Sequence, residues 1–356
     1  MKAAVLAEYG AELVVEEVKA PALGPRDVRM HIDASGVCHS DLSIARGGVP
    51  KPPPLILGHE GTGTILEVGA DVSRVSPGDR VVASFIPACG NCWYCLQGES
   101  HHCDLLLPLA GRVKATRRDG SELRGTLATF ADEMVADESL VVKVETDVPP
   151  DQLALIGCGV MTGVGAVLNT AEVRPGSTVA VIGCGGVGQS VIQGARIAGA
   201  ARIIAVDPVE LKRKTAEQLG ATDLVDPTDA DTVQLLRATT GGRGPDYVFE
   251  VLGRPETIVS AYNATRPGGT TVIVGMTRFD ETITIPAFTF INGAKKLMGC
   301  TYGSAQVRRD FPMLIRLVEN GRLDIGAMVS RHIGLEDVND AFRAMEAGEV
   351  IRSVII

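Results

Sequence analysis

The first 150 or so positions carry short apolar runs, "KAAVLAEYG", "DVRMHIDASGVC", "TGTILEVG" and "DRVVASF", each cut by Gly, Pro or Asp. Short strands at close spacing with turn residues between them predict a largely β domain. Within it, "VGADVSRVSPGDRVV" reads as a strand, a turn at Pro77-Gly78-Asp79 and a second strand. Near residue 175 the period changes. "STVAVIGCGGVGQSVIQGARIAGAARIIAVDP" alternates strand, glycine turn, helix and strand, and strand-like runs recur at "ATDLVDP", "PDYVFEVLG" and "GTTVIVG". The intervening segments predict helices over Glu210–Leu219, Thr232–Thr239 and Glu256–Ala264. Alternating β and α elements imply a parallel sheet covered on both faces. Past residue 300, "RRDFPMLIRLVENGRL" reads as a helix stopped at Gly321, and "LEDVNDAFRAMEAG" as another.

Length sharpens this into two domains, since 356 residues exceed one ordinary core. The 41 glycines and the 4% of aromatics suit an α/β chain with many tight turns. A net charge of -9 without a basic run excludes a nucleic-acid partner from the expectations. The start "MKAAVLAEYG" lacks a signal-peptide apolar region, and no apolar run is read as reaching the roughly 18 residues of a membrane span. A cytoplasmic protein with no membrane partner is expected. In that reducing setting the eight cysteines point to metal or redox chemistry rather than disulfides. Cys184 and Cys300 are assigned to packing.

Three patterns carry candidate chemistry. "VIGCGGVG" sets Gly183, Gly185 and Gly188 in G-x-G-x-x-G register, with Gly186 as an extra. A strand precedes it, a helix follows, and the next strand ends in Asp207, which predicts a dinucleotide site rather than a bare βα turn. Asp207 would accept from the adenosine ribose and repel a 2′-phosphate, favouring NAD over NADP. "ACGNCWYCLQGESHHCD" gathers Cys89, Cys92, Cys95 and Cys103, enough thiolates to close a zinc shell and leave no open position. An iron–sulfur cluster, or His101 or His102 replacing one thiol, are the other readings of that stretch. The third pattern is scattered: Cys38 in "GVCHSD", His59 and Glu60 in "LGHEG", and Cys158 in "LIGCGVMTG". Each alone reads as a core or surface residue, but two thiolates, one imidazole and a water make an open zinc site.

These motifs, with "LIGCGVMTGVG" and the terminal "IRSVII", resemble from end to end the zinc-dependent medium-chain alcohol dehydrogenases. The liver-type branch that includes glutathione-dependent formaldehyde dehydrogenases is the most similar. The resemblance implies an α/β fold: a GroES-like β-rich catalytic domain over 1–159 and 303–356, with a zinc lobe at about 88–104, and a doubly wound Rossmann domain over 160–302. It implies two zinc ions per chain and NAD. Cys38, His59 and Cys158 match the catalytic zinc ligands, and Cys89, Cys92, Cys95 and Cys103 the structural ones. Glu60 matches an acid near the catalytic metal, and Asp41 the carboxylate that orients the ligating imidazole. Thr162 and Val187 match residues pressing on the nicotinamide, and Lys212 a lysine near the adenosine ribose. The implied reaction interconverts alcohols and aldehydes by hydride transfer from a zinc-bound alkoxide, with Ser40 taking the proton.

The chain departs from that pattern in three places. Ser43 replaces the histidine that often ends the proton relay. His39 stands where many relatives carry an arginine facing the pyrophosphate, and Arg352 is read as a second cation for the cofactor. Gly47 or Val49 and Leu107 replace the charged residues expected for glutathione. Ser40, Val49, Phe85 and Met276, with the loop around Leu123, are expected to wall an apolar pocket for medium-chain or aromatic primary alcohols. A secondary-alcohol dehydrogenase and a glutathione-dependent formaldehyde dehydrogenase are the alternatives. A zinc-free reductase of the same fold would lack the scattered ligands, and a non-catalytic NAD-binding sensor would not need the open site. "KKLMGCTYGS" resembles the edge strand of the family's dimer, so a homodimer is expected, with a homotetramer as the alternative.

Overall fold

The computed structural model describes residues 1–356, which form two compact units: Met1–Cys158 with Gln306–Ile356, and Gly159–Ala305. In the first unit the 11-residue strand Asp27–Val37 organises one sheet. It pairs antiparallel with Gly61–Val68, Glu133–Asp137 and Arg352–Ile355. Its inward positions Val28 and Met30 pack with Ile65, Val81 and Met134, as period-two alternation requires. The strand's other end delivers Val37 to a second cluster with Leu6, Leu42, Ile44, Phe130 and Phe342. The turn read at Pro77-Gly78-Asp79 is present, with Gly78 at φ +89°. A second sheet runs Val14–Glu17, Lys2–Leu6, Leu55–Ile56, Glu122–Arg124, Val113–Thr116. Leu123, expected near a pocket loop, lies instead in this sheet at 0% exposure among Ala3, Val5 and Ile56. It is a core residue, because its neighbours Glu122 and Arg124 take the outward face.

The second unit is a six-stranded parallel sheet. Its order is Asp223–Val225, Arg202–Val206, Thr178–Ile182, Tyr247–Glu250, Thr270–Ile273, Lys296–Gly299. Helices fall where the pattern predicts them, at Glu210–Leu219, Thr232–Ala238 and Pro255–Ala264. Gly220 ends the first of these at φ +121°, and Pro255 extends the last by one residue, since a first-turn proline forfeits no helical hydrogen bond.

Four glycines, Gly157, Gly159, Gly163 and Gly165, stand around Cys158, and no element is read there from the sequence. The structure has a 21-residue helical run, Pro150–Thr170, interrupted by π turns at Ile156–Val160 and Ala166–Thr170. It is long and apolar enough to cross a membrane, which corrects the reading that no run reaches that length. Of its most apolar window 83% is buried inside the protein, as in a core helix. The glycines let backbone approach backbone: a Cβ on Gly157 would stand 2.7 Å from the Ala83 carbonyl oxygen.

Candidate metal centres and nucleotide turn

Cys38 ends the approach to a short helix, His39–Ala45, and His59 lies in the loop just before Gly61–Val68. Cys158 sits in the first π turn of the Pro150–Thr170 run. Such turns re-aim one side chain out of the helical register. The fold gathers the three: the ligand atoms of Cys38, His59, Glu60 and Cys158 all lie within 4.8 Å of one another. All four residues are buried, at 7%, 6%, 0% and 7% exposure. Asp41 Oδ1 stands 2.9 Å from His59 Nδ1 and accepts the Gly58 amide at 3.0 Å, while Oδ2 accepts the Cys38 amide at 3.3 Å. An Nδ1–H donated to Asp41 leaves the Nε2 lone pair for the cluster. The Phe85 ring meets the His59 ring edge-on at 5.6 Å.

Charge at this cluster is balanced from the far end of the chain. Ser353 pairs with Val37, so Arg352 arrives beside Cys38 and donates to Glu60 Oε2. Arg352 is 3% exposed. The sequence reading gives this cation to the cofactor; the structure places it on Glu60. Burial disfavours the Arg352 charge, yet Glu60 and Cys38 outweigh burial and raise its pKa, while burial raises Glu60 against the pull of Arg352. The hydrogen bond with Cys158 pulls the Cys38 thiol well below its usual range, against the push of burial. The same bond and burial hold Cys158 well above it. Two cysteine sulfurs and an imidazole with Nε2 free are a donor set for a borderline-soft divalent cation, with Glu60 alongside.

The second thiol cluster is closed. Cys89 and Cys95 sulfurs are 3.8 Å apart, and those of Cys92 and Cys103 3.9 Å. Tetrahedral zinc with bonds of about 2.3 Å puts its sulfurs roughly 3.8 Å apart, so four thiolates fit one ion. His101 and His102 stack on each other at 4.2 Å and take no part in the cluster. Two arginines escaped the sequence reading. Arg74 donates to the carbonyls of Ala88 and Cys89 at 3.0 and 2.6 Å, and Arg308 to Ala88 at 3.1 Å.

In the second unit, Gly183 takes φ +94°, where a Cβ would meet Leu252 at 2.7 Å. A Cβ on Gly185, at the N-cap of the helix Gly186–Ile197, would meet nothing within 4 Å. That open space above a helix N-terminus is where a pyrophosphate fits. Gly188 has its Cβ position against the Gly183 carbonyl, so only glycine packs there. Asp207 is 3% exposed and accepts the Cys184 and Val209 amides at 2.8 and 2.9 Å. Gly163 lets the helices that carry Thr162 and Val187 touch, its Cβ position 2.5 Å from the Val187 carbonyl oxygen. Lys212 lies on the helix Glu210–Leu219, its carbonyl held by Gln189 at 2.8 Å. Met276 is half-exposed in this unit. In the first unit His39 is exposed, with Nδ1 3.4 Å from Ser43 Oγ, Ser40 is half-buried, and Val49 packs on the Leu42–Phe130 cluster.

Comparison with known proteins gives the same picture. The family described as "Alcohol dehydrogenase GroES-like domain" matches residues 24–146, and that described as "Zinc-binding dehydrogenase" matches residues 186–320. The chain is 35% identical to a geraniol dehydrogenase of Castellaniella defragrans, over 100% of this chain and 97% of that one. It is 36% identical to an S-(hydroxymethyl)glutathione dehydrogenase of Synechocystis sp., over 99% of each. The crystal structure of benzyl alcohol dehydrogenase from Acinetobacter calcoaceticus superposes with a TM-score of 0.92 at 30% identity, over 99% of this chain and 98% of that one. The chain belongs to the zinc-dependent alcohol dehydrogenase family and is an oxidoreductase with a GroES-like and a Rossmann-type domain.

Proposed function

We propose that this chain oxidises primary alcohols of medium chain length or with an aromatic ring, reversibly and with NAD, using two zinc ions. The observation that carries the reading is the buried convergence of Cys38, His59 and Cys158, with Asp41 on His59 Nδ1. Zinc supplies Lewis acidity that lowers the pKa of an alcohol, and nicotinamide supplies the hydride acceptor. Cys38, His59 and Cys158 would hold the catalytic ion, and Cys89, Cys92, Cys95 and Cys103 the structural one. Asp41 fixes the His59 tautomer, and Arg352 keeps the Glu60 charge bound beneath the ligands. Ser40 accepts the alcohol proton. Ser43 and His39 continue the path outward, since their side chains are in reach of each other. Phe85 keeps the His59 face dry. Asp207 presents a carboxylate where a 2′-phosphate would be repelled, which supports NAD. Thr162, Val187, Lys212 and the Gly183–Gly188 turn seat the dinucleotide.

The exposed Phe288 and Ile291, just before the edge strand Lys296–Gly299, support a homodimer built on that edge. A cytoplasmic location accords with the reduced cysteines. The test is NADH formation across primary, secondary and aromatic alcohols, with NAD and NADP compared, and metal analysis on the same sample. Turnover of benzylic or medium-chain primary alcohols with NAD and about two zinc per chain are expected. Activity confined to S-(hydroxymethyl)glutathione, or to secondary alcohols, would replace this substrate assignment.

A further inference from the structure

The glycine-rich turn of the second unit has few side chains of its own to hold it, since Gly183, Gly185, Gly186 and Gly188 leave its backbone free. Cys184 is where it is held, with its N–H and its C=O both taken by other elements. The amide donates to Asp207 Oδ2 at 2.8 Å, and the carbonyl accepts from Gln189 Nε2 at 2.9 Å. Gln189 lies on the helix Gly186–Ile197 at 0% exposure. Its Nε2 also donates to the Lys212 carbonyl, in the first turn of the helix Glu210–Leu219, at 2.8 Å. The Lys212 amide donates to the Val209 carbonyl at 3.1 Å, and the Val209 amide to Asp207 Oδ1 at 2.9 Å.

These bonds close a ring through Cys184, Asp207, Val209, Lys212 and Gln189. The ring ties together the three parts set above around the adenosine ribose of a dinucleotide: the glycine turn, Asp207, and the start of the helix that carries Lys212. Only Asp207 and Gln189 join it through their side chains. Asp207 is the one expected to touch the ribose, whereas Gln189, sealed from solvent, acts only through the backbone that it holds.

The Gln189 amide is oriented by its two acceptors, because the reverse orientation would aim an oxygen at two carbonyl oxygens. Its Oε1 is thereby left buried with no donor. Buried polar atoms are nearly always paired, and an apolar side chain of the same length would avoid this cost. A local rule broken beside a binding turn points to a use for the two bonds that the amide does make.

We propose that Gln189 is a positioning residue for the dinucleotide, its two donated hydrogen bonds holding the glycine turn and the Lys212 helix in their binding geometry before the ligand arrives. This rests on the reading of the second unit as the seat of a dinucleotide, and adds to it a residue that the glycine pattern does not name. A seat already ordered spares the ligand the entropy of ordering it, so loss of the clamp is read in affinity and not in the hydride step.

The test uses the whole zinc-loaded chain and reads binding apart from turnover. ADP-ribose affinity is measured by calorimetry for the parent, for Gln189→Met, which keeps length and bulk without the donor, and for Gln189→Leu. Both variants are expected to bind ADP-ribose about tenfold more weakly and to raise KM for NAD by a similar factor. Their kcat at saturating NAD should stay within about twofold of the parent. Melting temperatures should stay within a few degrees, because each variant sheds the unpaired Oε1 along with the two bonds. If Gln189→Met does not fold, Gln189→Leu carries the test. Unchanged ADP-ribose affinity overturns the assignment. A fall in kcat at constant KM overturns it too, as does a large loss of melting temperature in both variants, which makes Gln189 a packing residue. A parent that binds neither ADP-ribose nor NAD would instead bring down the dinucleotide reading, and this assignment with it.

Discussion

Lys114 bears the cost of its position in its own titration. Burial first, and the neighbouring charge of Arg112 next, push its pKa from 10.5 down to about 8 in the folded chain. Between those values the unfolded chain keeps a proton that the folded chain has released. Stability from this group therefore rises with pH across that window, by roughly 1.4 kcal/mol per pH unit, and the full penalty stands below about 8. Lys114→Met is expected to melt higher than the parent at pH 7, with the gap closing as pH approaches 10. Differential scanning calorimetry across that range checks it, and a gap that stays constant would show that Lys114 is not desolvated as described. At this scale the sequence is readable where chemistry is local. Cys38, His59 and Cys158 stand out by residue type and motif, and the resemblance names Asp41. Partners brought from afar are not readable: 292 positions separate Glu60 from Arg352, and 220 separate Ala88 from Arg308. Lys114 looks like an ordinary surface lysine in a chain with 34 basic residues.

Among the elements, the four-cysteine lobe is the one whose role is separable from turnover. Its helix Trp93–Leu96 has only 4 residues, and none of them is buried, so no hydrophobic core holds it. What fixes it is the four sulfurs, with Arg74 and Arg308 on the carbonyls at its base. Cys95→Ser is therefore expected to lower zinc content by about one ion per chain and to lower the melting temperature, with a smaller loss in turnover per folded molecule. If Cys95→Ser kept its zinc and its melting temperature while turnover collapsed, the closed cluster would be the reactive one. Element type was legible wherever periodicity or turn chemistry was strong, as in Glu210–Leu219 and the turn at Gly78. It was not read at Pro150–Thr170. Glycine there serves close packing rather than chain reversal, and that choice depends on neighbours such as Ala83 that lie far off in sequence.

On the scale of the whole molecule, the first unit is closed by the last residues of the chain. Arg352–Ile355 inserts between Asp27–Val37 and Val329–Ile333, and this insertion sets the Arg352 guanidinium on Glu60, within the cluster of Cys38, His59 and Cys158. Both groups are nearly sealed, at 3% and 0% exposure, so neither charge can fall back on water. Breaking such a buried pair by removing one partner costs roughly 3–5 kcal/mol, because the remaining charge is no longer balanced, whereas removing both charges costs much less. Arg352→Met is expected to lose stability on that scale and to weaken zinc retention. Glu60→Gln with Arg352→Met should recover part of both, giving a coupling of about 1–3 kcal/mol in a double-mutant cycle by denaturant titration. The strand itself is untouched by these side-chain changes, so a loss of pairing at the Val37 edge would appear in both variants and cancel in the cycle. Additive losses would mean that the strand, and not the ion pair, is what the chain's end contributes to the metal centre.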